Sequence, residues 1–226
     1  MTGDTDGMLL LAERIIHAAP NLREIEFSYD GIYEEGLVQA IMGLKNLESL
    51  FIDVNALSTK WFYDVVMHHA ARLTDIGFTL YYGNGGDQMP SFGFLKHVPR
   101  LRRLNVTLAP LGIPRDITKI TEAIASSCLG LETLTLNYTV SSIPFGSITA
   151  FKRHPRLTKM EITAESMDDS DLVSVLSIPN LNHLILHVPL KDPTIELLRS
   201  KIARVEYKPR TDVIDMYHVW FKHSNE

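Results

Sequence analysis

One pattern of apolar and polar positions recurs along almost the whole chain. It reads Leu-x-x-φ-x-φ, where φ is apolar and x is mostly polar. Its anchors are Leu22, Leu47, Leu73, Leu101, Leu131, Leu157 and Leu181. The two apolar positions that follow are Ile25 and Phe27, Leu50 and Ile52, Ile76 and Phe78, Leu104 and Val106, Leu134 and Leu136, Met160 and Ile162, and Leu184 and Leu186. A degenerate eighth copy carries Ile202, Val205 and Tyr207. Successive anchors lie 25, 26, 28, 30, 26, 24 and 21 residues apart. A fixed period of this length marks stacked supersecondary units, because one such unit cannot bury its apolar face alone.

The pattern predicts the elements of each unit. Apolar residues two apart point to the same face of a strand, so φ-x-φ turns both into a core. Upstream of the strands, apolar residues recur at helical spacing: Leu37, Ile41 and Leu44; Ile117, Ile120 and Ile124; Leu172, Val173 and Leu176. Pro20, Pro99, Pro155 and Pro179 stop the helices just before the anchors. The expected fold is an α/β right-handed solenoid, with a parallel β-sheet on its concave face and helices on its convex face. Residues 8–208 form about eight repeats, after a flexible segment over residues 1–7. A C-terminal cap helix over residues 209–226 is expected from Val213, Tyr217, Trp220 and Phe221 behind Thr211-Asp212. The first repeat has no matching cap, so its open strand edge is expected to be a place where two chains can pair as a homo-oligomer.

The residues also resemble a known family. Asn21-Leu22, Asn46-Leu47, Arg100-Leu101, Arg156-Leu157 and Asn180-Leu181 open an Asn-Leu-x-x-Leu-x-Leu core. With the long, helix-containing period, this looks like the ribonuclease-inhibitor and F-box-associated class of leucine-rich repeats. The resemblance covers about Met8 to Lys208. The Asn or Cys usual after the third apolar position is replaced by Asp53-Val54, Asn137-Tyr138 and His187-Val188, which points to a divergent, irregular solenoid. The resemblance implies a protein-binding scaffold, and within the F-box class a substrate-recognition module of a ubiquitin ligase. No F-box segment is legible in residues 1–226, so the ligase adaptor is expected to bind through a segment upstream. A scaffold of another leucine-rich class, acting on a small GTPase or on the cytoskeleton, is the alternative.

Composition changes this picture little. The 226 residues carry a formal net charge of −5, which gives no push toward nucleic acid. One cysteine, Cys128, forbids an intramolecular disulfide and fits a reducing, intracellular setting, cytoplasmic or nuclear. Met8 to Ala12 is too short an apolar run to span a bilayer, and no basic residue precedes it as a secretory signal would require. No membrane association is expected.

The strand residues that point away from the core are the candidate partner-binding set. On the concave face they include Glu24, Glu26, Phe51, Asp53, Asp75, Arg103, Asn105, Lys159, His183, Ile185, His187 and Arg204. Acidic charge is expected to dominate the first three rows and basic charge the later ones. Phe51 and Ile185 serve as apolar anchors for an extended polypeptide. A glycine-rich excursion after the third strand adds Tyr81, Tyr82 and Asp87 as rim-loop contacts.

No catalytic, cofactor or metal site emerges. His183 and His187 share a strand face but stand roughly 13 Å apart, too far to hold one ion. Gly-x-Ser-x-Gly is absent. The run Asp168-Asp169-Ser170-Asp171 lacks the spacing of a calcium loop and is expected to cap the following helix.

Overall fold

The eight apolar pairs become eight strands: β1 (Glu24–Tyr29), β2 (Ser49–Val54), β3 (Asp75–Tyr82), β4 (Arg103–Pro110), β5 (Thr133–Tyr138), β6 (Lys159–Thr163), β7 (His183–His187) and β8 (Arg204–Tyr207). The computed structural model describes residues 5–29, 35–54, 60–82, 92–110, 118–138, 142–143 and 146–209. All eight strands form one sheet in chain order, β1 to β8, and every neighbouring pair is parallel. The repeat sets the register. Ile25, Leu50, Ile76, Leu104, Leu134, Met160, Leu184 and Val205 stand side by side across the sheet. All of these except Val205 are buried, and they belong to a single hydrophobic cluster with the anchors Leu47, Leu73, Leu101, Leu131, Leu157 and Leu181. Along β5 and β6, buried and half-buried residues alternate strictly, so among the described residues one face of these strands is fully covered and the other only partly.

The connections cover that face. They are α1 (Thr5–Ala18), α2 (Glu35–Met42), α3 (Lys60–His69), α4 (Thr118–Ser127), α5 (Asp169–Val175) and α6 (Asp192–Lys201), with short 3-10 helices at Phe92–His97 and Ile148–Arg153. In these two 3-10 repeats, large aromatic residues fill the space with fewer turns. Phe62 of α3 meets Phe78 and Phe94 edge-on, and Phe92 stacks on Phe78 at 5.8 Å between ring centroids.

Three sequence expectations change in detail. Helix α1 begins at Thr5, ahead of the expected boundary at Met8. Val173 is 57% exposed, because the inward stripe of α5 runs through Leu172 and Val175, three apart, and Val173 lies one position off it. Tyr81 and Tyr82 do not open a rim loop; they extend β3 and pair with Ala109 and Pro110, as suits aromatic residues beside a partner strand of equal length. Asp87 and residues 210–226 of the C-terminal cap expected over 209–226 lie outside the described residues.

Polar groups clasp one repeat to the next on the helical side. Asp168 caps α5 as the acidic run predicts, its side chain accepting from the Ser170 amide at 2.8 Å. Asp171 does something else. Its wholly buried carboxylate reaches into the preceding repeat and accepts the amides of Gly146 and Ile148, both at 3.1 Å, where the 3-10 helix begins. Burial pushes its carboxyl above the usual range, and the two amides pull the other way. Truncating it strands two shielded donors. Asp171→Ala is therefore expected to lower stability by about 2 kcal/mol, read as a drop in urea midpoint with unchanged m-value. Asp168→Ala, at an exposed cap, should lose about half as much.

Two histidines make matching clasps. His69 and His154, both wholly buried, each donate Nε2–H to a carbonyl near the end of the preceding helix: Ile41 at 3.0 Å and Ala125 at 2.8 Å. The Arg72 guanidinium donates to His69 Nδ1 at 3.0 Å, which fixes the neutral tautomer, since Arg has no acceptor and a carbonyl no donor. These clasps tie a helix of one repeat to carbonyls near the end of the helix before it; the Ile41 carbonyl also accepts the Leu44 amide at 3.1 Å.

Candidate functional site

The uncovered face of the sheet carries three rows of side chains, two residues apart along each strand. The first row runs Glu24, Ser49, Asp75, Arg103, Thr133, Lys159, His183, Arg204. The second runs Glu26, Phe51, Gly77, Asn105, Thr135, Glu161, Ile185, Glu206. In the third, Asp53, Thr79, Thr107, Asn137, Thr163 and His187 are neighbours. Every expected concave-face residue therefore occupies this one surface, because parallel in-register strands bring equivalent repeat positions together. For Asp53 the backbone place is fixed, and its side chain lies outside the described residues.

The charges are less free than the sequence implies. Arg103 pairs with Asp75 across adjacent strands, which raises the guanidinium pKa further above its ordinary value, first through the hydrogen bond and then through the charge. Thr74 Oγ1 also donates to Asp75 at 2.7 Å. At the other end, Glu206 meets Arg204 at 2.6 Å, His183 at 2.9 Å and Lys208 at 3.0 Å. Hydrogen bonds from Lys208 and His183 hold its carboxyl well down, to about 2. His187 lies 3.4 Å from Glu161. The expected acidic-to-basic gradient is thus mostly neutralised by lateral pairs. Glu24, Glu26 and Lys159 have no ion-pair partner among the described residues. Between the charged ends, Thr133, Thr135, Thr107, Asn105 and Asn137 make a neutral polar band over β4 and β5. Asn105 Oδ1 and Asn137 Oδ1 are shielded there with no hydrogen-bond partner among the described residues.

The two expected anchors fare differently. Ile185 is 8% exposed, a correction to its role as an exposed anchor; its neighbours in register are the ion-paired Glu161 and Glu206. Phe51 keeps part of its surface. Its ring lies over Gly77 in the next strand, so closely that a Cβ on Gly77 would collide with it. Sequence reading missed this dependence, although the pairing follows once Phe51 and Gly77 are seen to hold the same repeat position. Gly77→Ala is expected to push the ring off the sheet and cost about 1–2 kcal/mol. Phe51→Ala in the same chain should remove most of that penalty, so a double-mutant cycle that comes out additive would contradict the contact.

Cys128 plays no part here. It is buried behind the sheet, and burial pushes its thiol up to about 12, leaving negligible thiolate at neutral pH. Among the described residues, no group of three His, Cys, Asp or Glu side chains is placed to hold a metal ion, and no helix is long and apolar enough to cross a membrane.

One parallel strand per period, a chain-order sheet, helices on one face and a single continuous core complete the architecture. The chain has the leucine-rich-repeat fold. No protein-family profile matches it, and no curated protein matches it. Solved structures with likeness to it include a leucine-rich-repeat protein of Leptospira interrogans, at 14% identity and a TM-score of 0.46, covering 88% of this chain and 46% of that one. This leucine-rich-repeat chain thus spans about half the length of the Leptospira protein. A Bacteroides fragilis protein gives 13% identity and a TM-score of 0.38 over 81% of this chain and 75% of that one. An internalin of Listeria monocytogenes gives 13% and 0.21, covering 88% and 89%. At such scores the fold assignment rests on strand order, register and core.

Proposed function

We propose that this leucine-rich-repeat chain is a protein-interaction scaffold that holds an extended polypeptide across the uncovered face of its sheet. The observation that carries this reading is the face itself. Eight in-register strands present three rows of side chains that, apart from the buried Thr79 and Ile185, no part of the described chain fully covers, with a half-buried aromatic at Phe51 and half-buried polar side chains at Asn105, Thr107, Thr133, Thr135 and Asn137. Phe51 and the Arg103–Asp75 pair anchor the partner, and the central amides and hydroxyls hydrogen-bond to it. Lys159, His183, His187 and Arg204 meet the partner's acidic end, and Glu24, Glu26 and Asp53 its basic end.

The finer reading is a substrate receptor for a ubiquitin ligase, supported by the resemblance of the repeat to the F-box-associated class. Pairing of two chains beside β1 is a separate expectation, supported by Leu11 and Ile15, one turn apart and exposed on α1. Light scattering reads it directly as a doubled mass. For the main reading, the gene product is tagged and purified from its native cells. It should bring down ligase adaptor subunits and a substrate whose capture is lost in Phe51→Ala and Arg103→Glu. A small GTPase or an actin-related protein without adaptors would replace the ligase reading, and capture indifferent to both substitutions would remove the site.

A further inference from the structure

A second surface lies at the rim where the chain turns from the helical layer into β4, β5 and β6. Two of these turns carry nearly the same hexapeptide, Lys96-His97-Val98-Pro99-Arg100-Leu101 and Lys152-Arg153-His154-Pro155-Arg156-Leu157. Each follows a 3-10 helix that ends in basic residues. The third and sixth residues of each are buried, and Lys96, Arg100, Lys152, Arg153 and Arg156 are exposed. The turn between them is uncharged, Cys128-Leu129-Gly130, and its Leu129 is 59% exposed, the most exposed large apolar side chain among the described residues.

The three turns are stitched side by side. The Glu132 amide donates to the Arg102 carbonyl at 2.8 Å and the Thr158 amide to the Glu132 carbonyl at 3.0 Å. Gly130 lies beside the Leu101 carbonyl, where a Cβ would make ordinary van der Waals contact at 3.6 Å. His154 ties the third turn to the end of α4 at Ala125. Two strand spacings put the basic turns about 10 Å apart, with Leu129 between them. The acidic groups near this rim are Glu132, which meets Arg102 at 3.7 Å, and Glu122, exposed on α4. The five cations have no ion-pair partner among the described residues. In a chain whose formal net charge is −5, this is a local concentration of free positive charge around one exposed apolar side chain.

We propose that this rim is a docking site for an acidic segment of a partner protein. The segment carries an apolar residue, seated on Leu129, between two acidic clusters that meet the basic turns. Free cations on both sides and a leucine in the middle fit acid–apolar–acid spacing in an extended chain, where about three residues span the gap. A uniform polyanion would satisfy the arginines and leave Leu129 uncovered. The site lies off the concave face, so it stands or falls apart from the reading above.

The test uses the full chain and a fluorescein-labelled peptide, Glu-Asp-Glu-Ser-Leu-Ser-Glu-Asp-Glu, followed by anisotropy at low and moderate salt. Binding should weaken as salt rises. It should weaken about tenfold or more in Arg100→Glu with Arg156→Glu. A smaller loss, about threefold, is expected in Leu129→Ser or when the peptide leucine becomes serine. Phe51→Ala on the concave face should leave it unchanged. Circular dichroism melts verify folding, and the milder Arg100→Gln with Arg156→Gln replaces the charge reversal if that pair unfolds. The proposal is overturned if the rim variants bind the peptide like the unmodified chain. It is also overturned if the leucine-free peptide binds equally well, or if polyuridylate RNA or phosphatidylserine vesicles bind more tightly than the peptide.

Discussion

Phe151→Ala is expected to cost about 3–5 kcal/mol. Phe151 is wholly buried in the short 3-10 helix Ile148–Arg153, and its ring lies 5.3 Å from that of His154. In that repeat the ring fills volume that a longer helix would otherwise occupy, so no neighbouring turn can collapse into the cavity. His154 also clasps the repeat to Ala125, so loosening the ring loosens the joint with α4. Each repeat of a solenoid is held chiefly by its two neighbours, and damage at one joint uncouples the two sides. Urea unfolding followed by circular dichroism should show a much lower midpoint and a broader transition. Leu129→Ala, at an exposed position in the adjacent turn, should change the unfolding free energy by no more than about 0.5 kcal/mol. Similar losses in the two variants would mean that this short helix is not part of the core.

Mild acid should weaken the protein through His69. Burial lowers the imidazole from its ordinary 6.5 to about 4; the hydrogen bond to the Ile41 carbonyl raises it, and the charges of His68 and Arg72 lower it further. The folded pKa lies below the unfolded one, so as pH falls the unfolded chain binds its proton first. Stability is complete above about pH 6.5, falls progressively toward pH 4, and loses nothing more from this group below that. The full loss is on the order of 3 kcal/mol. Burial lowers His154 in the same direction, so it adds to the loss over the same side of neutrality. Glu206 acts on a more acidic range: its carboxyl is held near 2, so its ion pairs keep stabilising the fold until pH drops below the ordinary carboxylate range toward that value. Chemical denaturation of the parent chain and His69→Gln at pH 7.5, 5.5 and 4.5 separates the contributions. The parent should lose stability faster than the variant between 7.5 and 4.5. Parallel pH profiles would show that His69 is not kept neutral by the fold.

The strands were legible because their signal is local and repeated. Ile25 and Phe27, Leu50 and Ile52, and their later copies need only their own spacing to declare a strand and an inward face. The fixed period then dictates that neighbours in sequence are neighbours in space. The concave-face residues followed by the same parity, and all share one surface. What parity could not supply is lateral contact. Asp75 and Arg103 are 28 residues apart, and only the register places them side by side. Ile185 reads as an anchor by alternation, yet it is buried between strands that carry Glu161 and Glu206 at the same register position. Gly77 reads as a weak strand residue, and its lack of a side chain is what admits the Phe51 ring.

The sequence by itself determined the number of strands, their order, the face that the repeated apolar strand residues take and the absence of any familiar catalytic motif. These depend on periodicity, which is a property of the chain in one dimension. The tertiary structure alone decided which helices shorten to 3-10 turns, which charges cancel, where Asp171, His69 and His154 clasp adjacent repeats, and which two basic turns flank Leu129. Each of those depends on distances between residues roughly one or two periods apart, and the irregular 21-to-30-residue spacing leaves such distances unspecified until the coils stack.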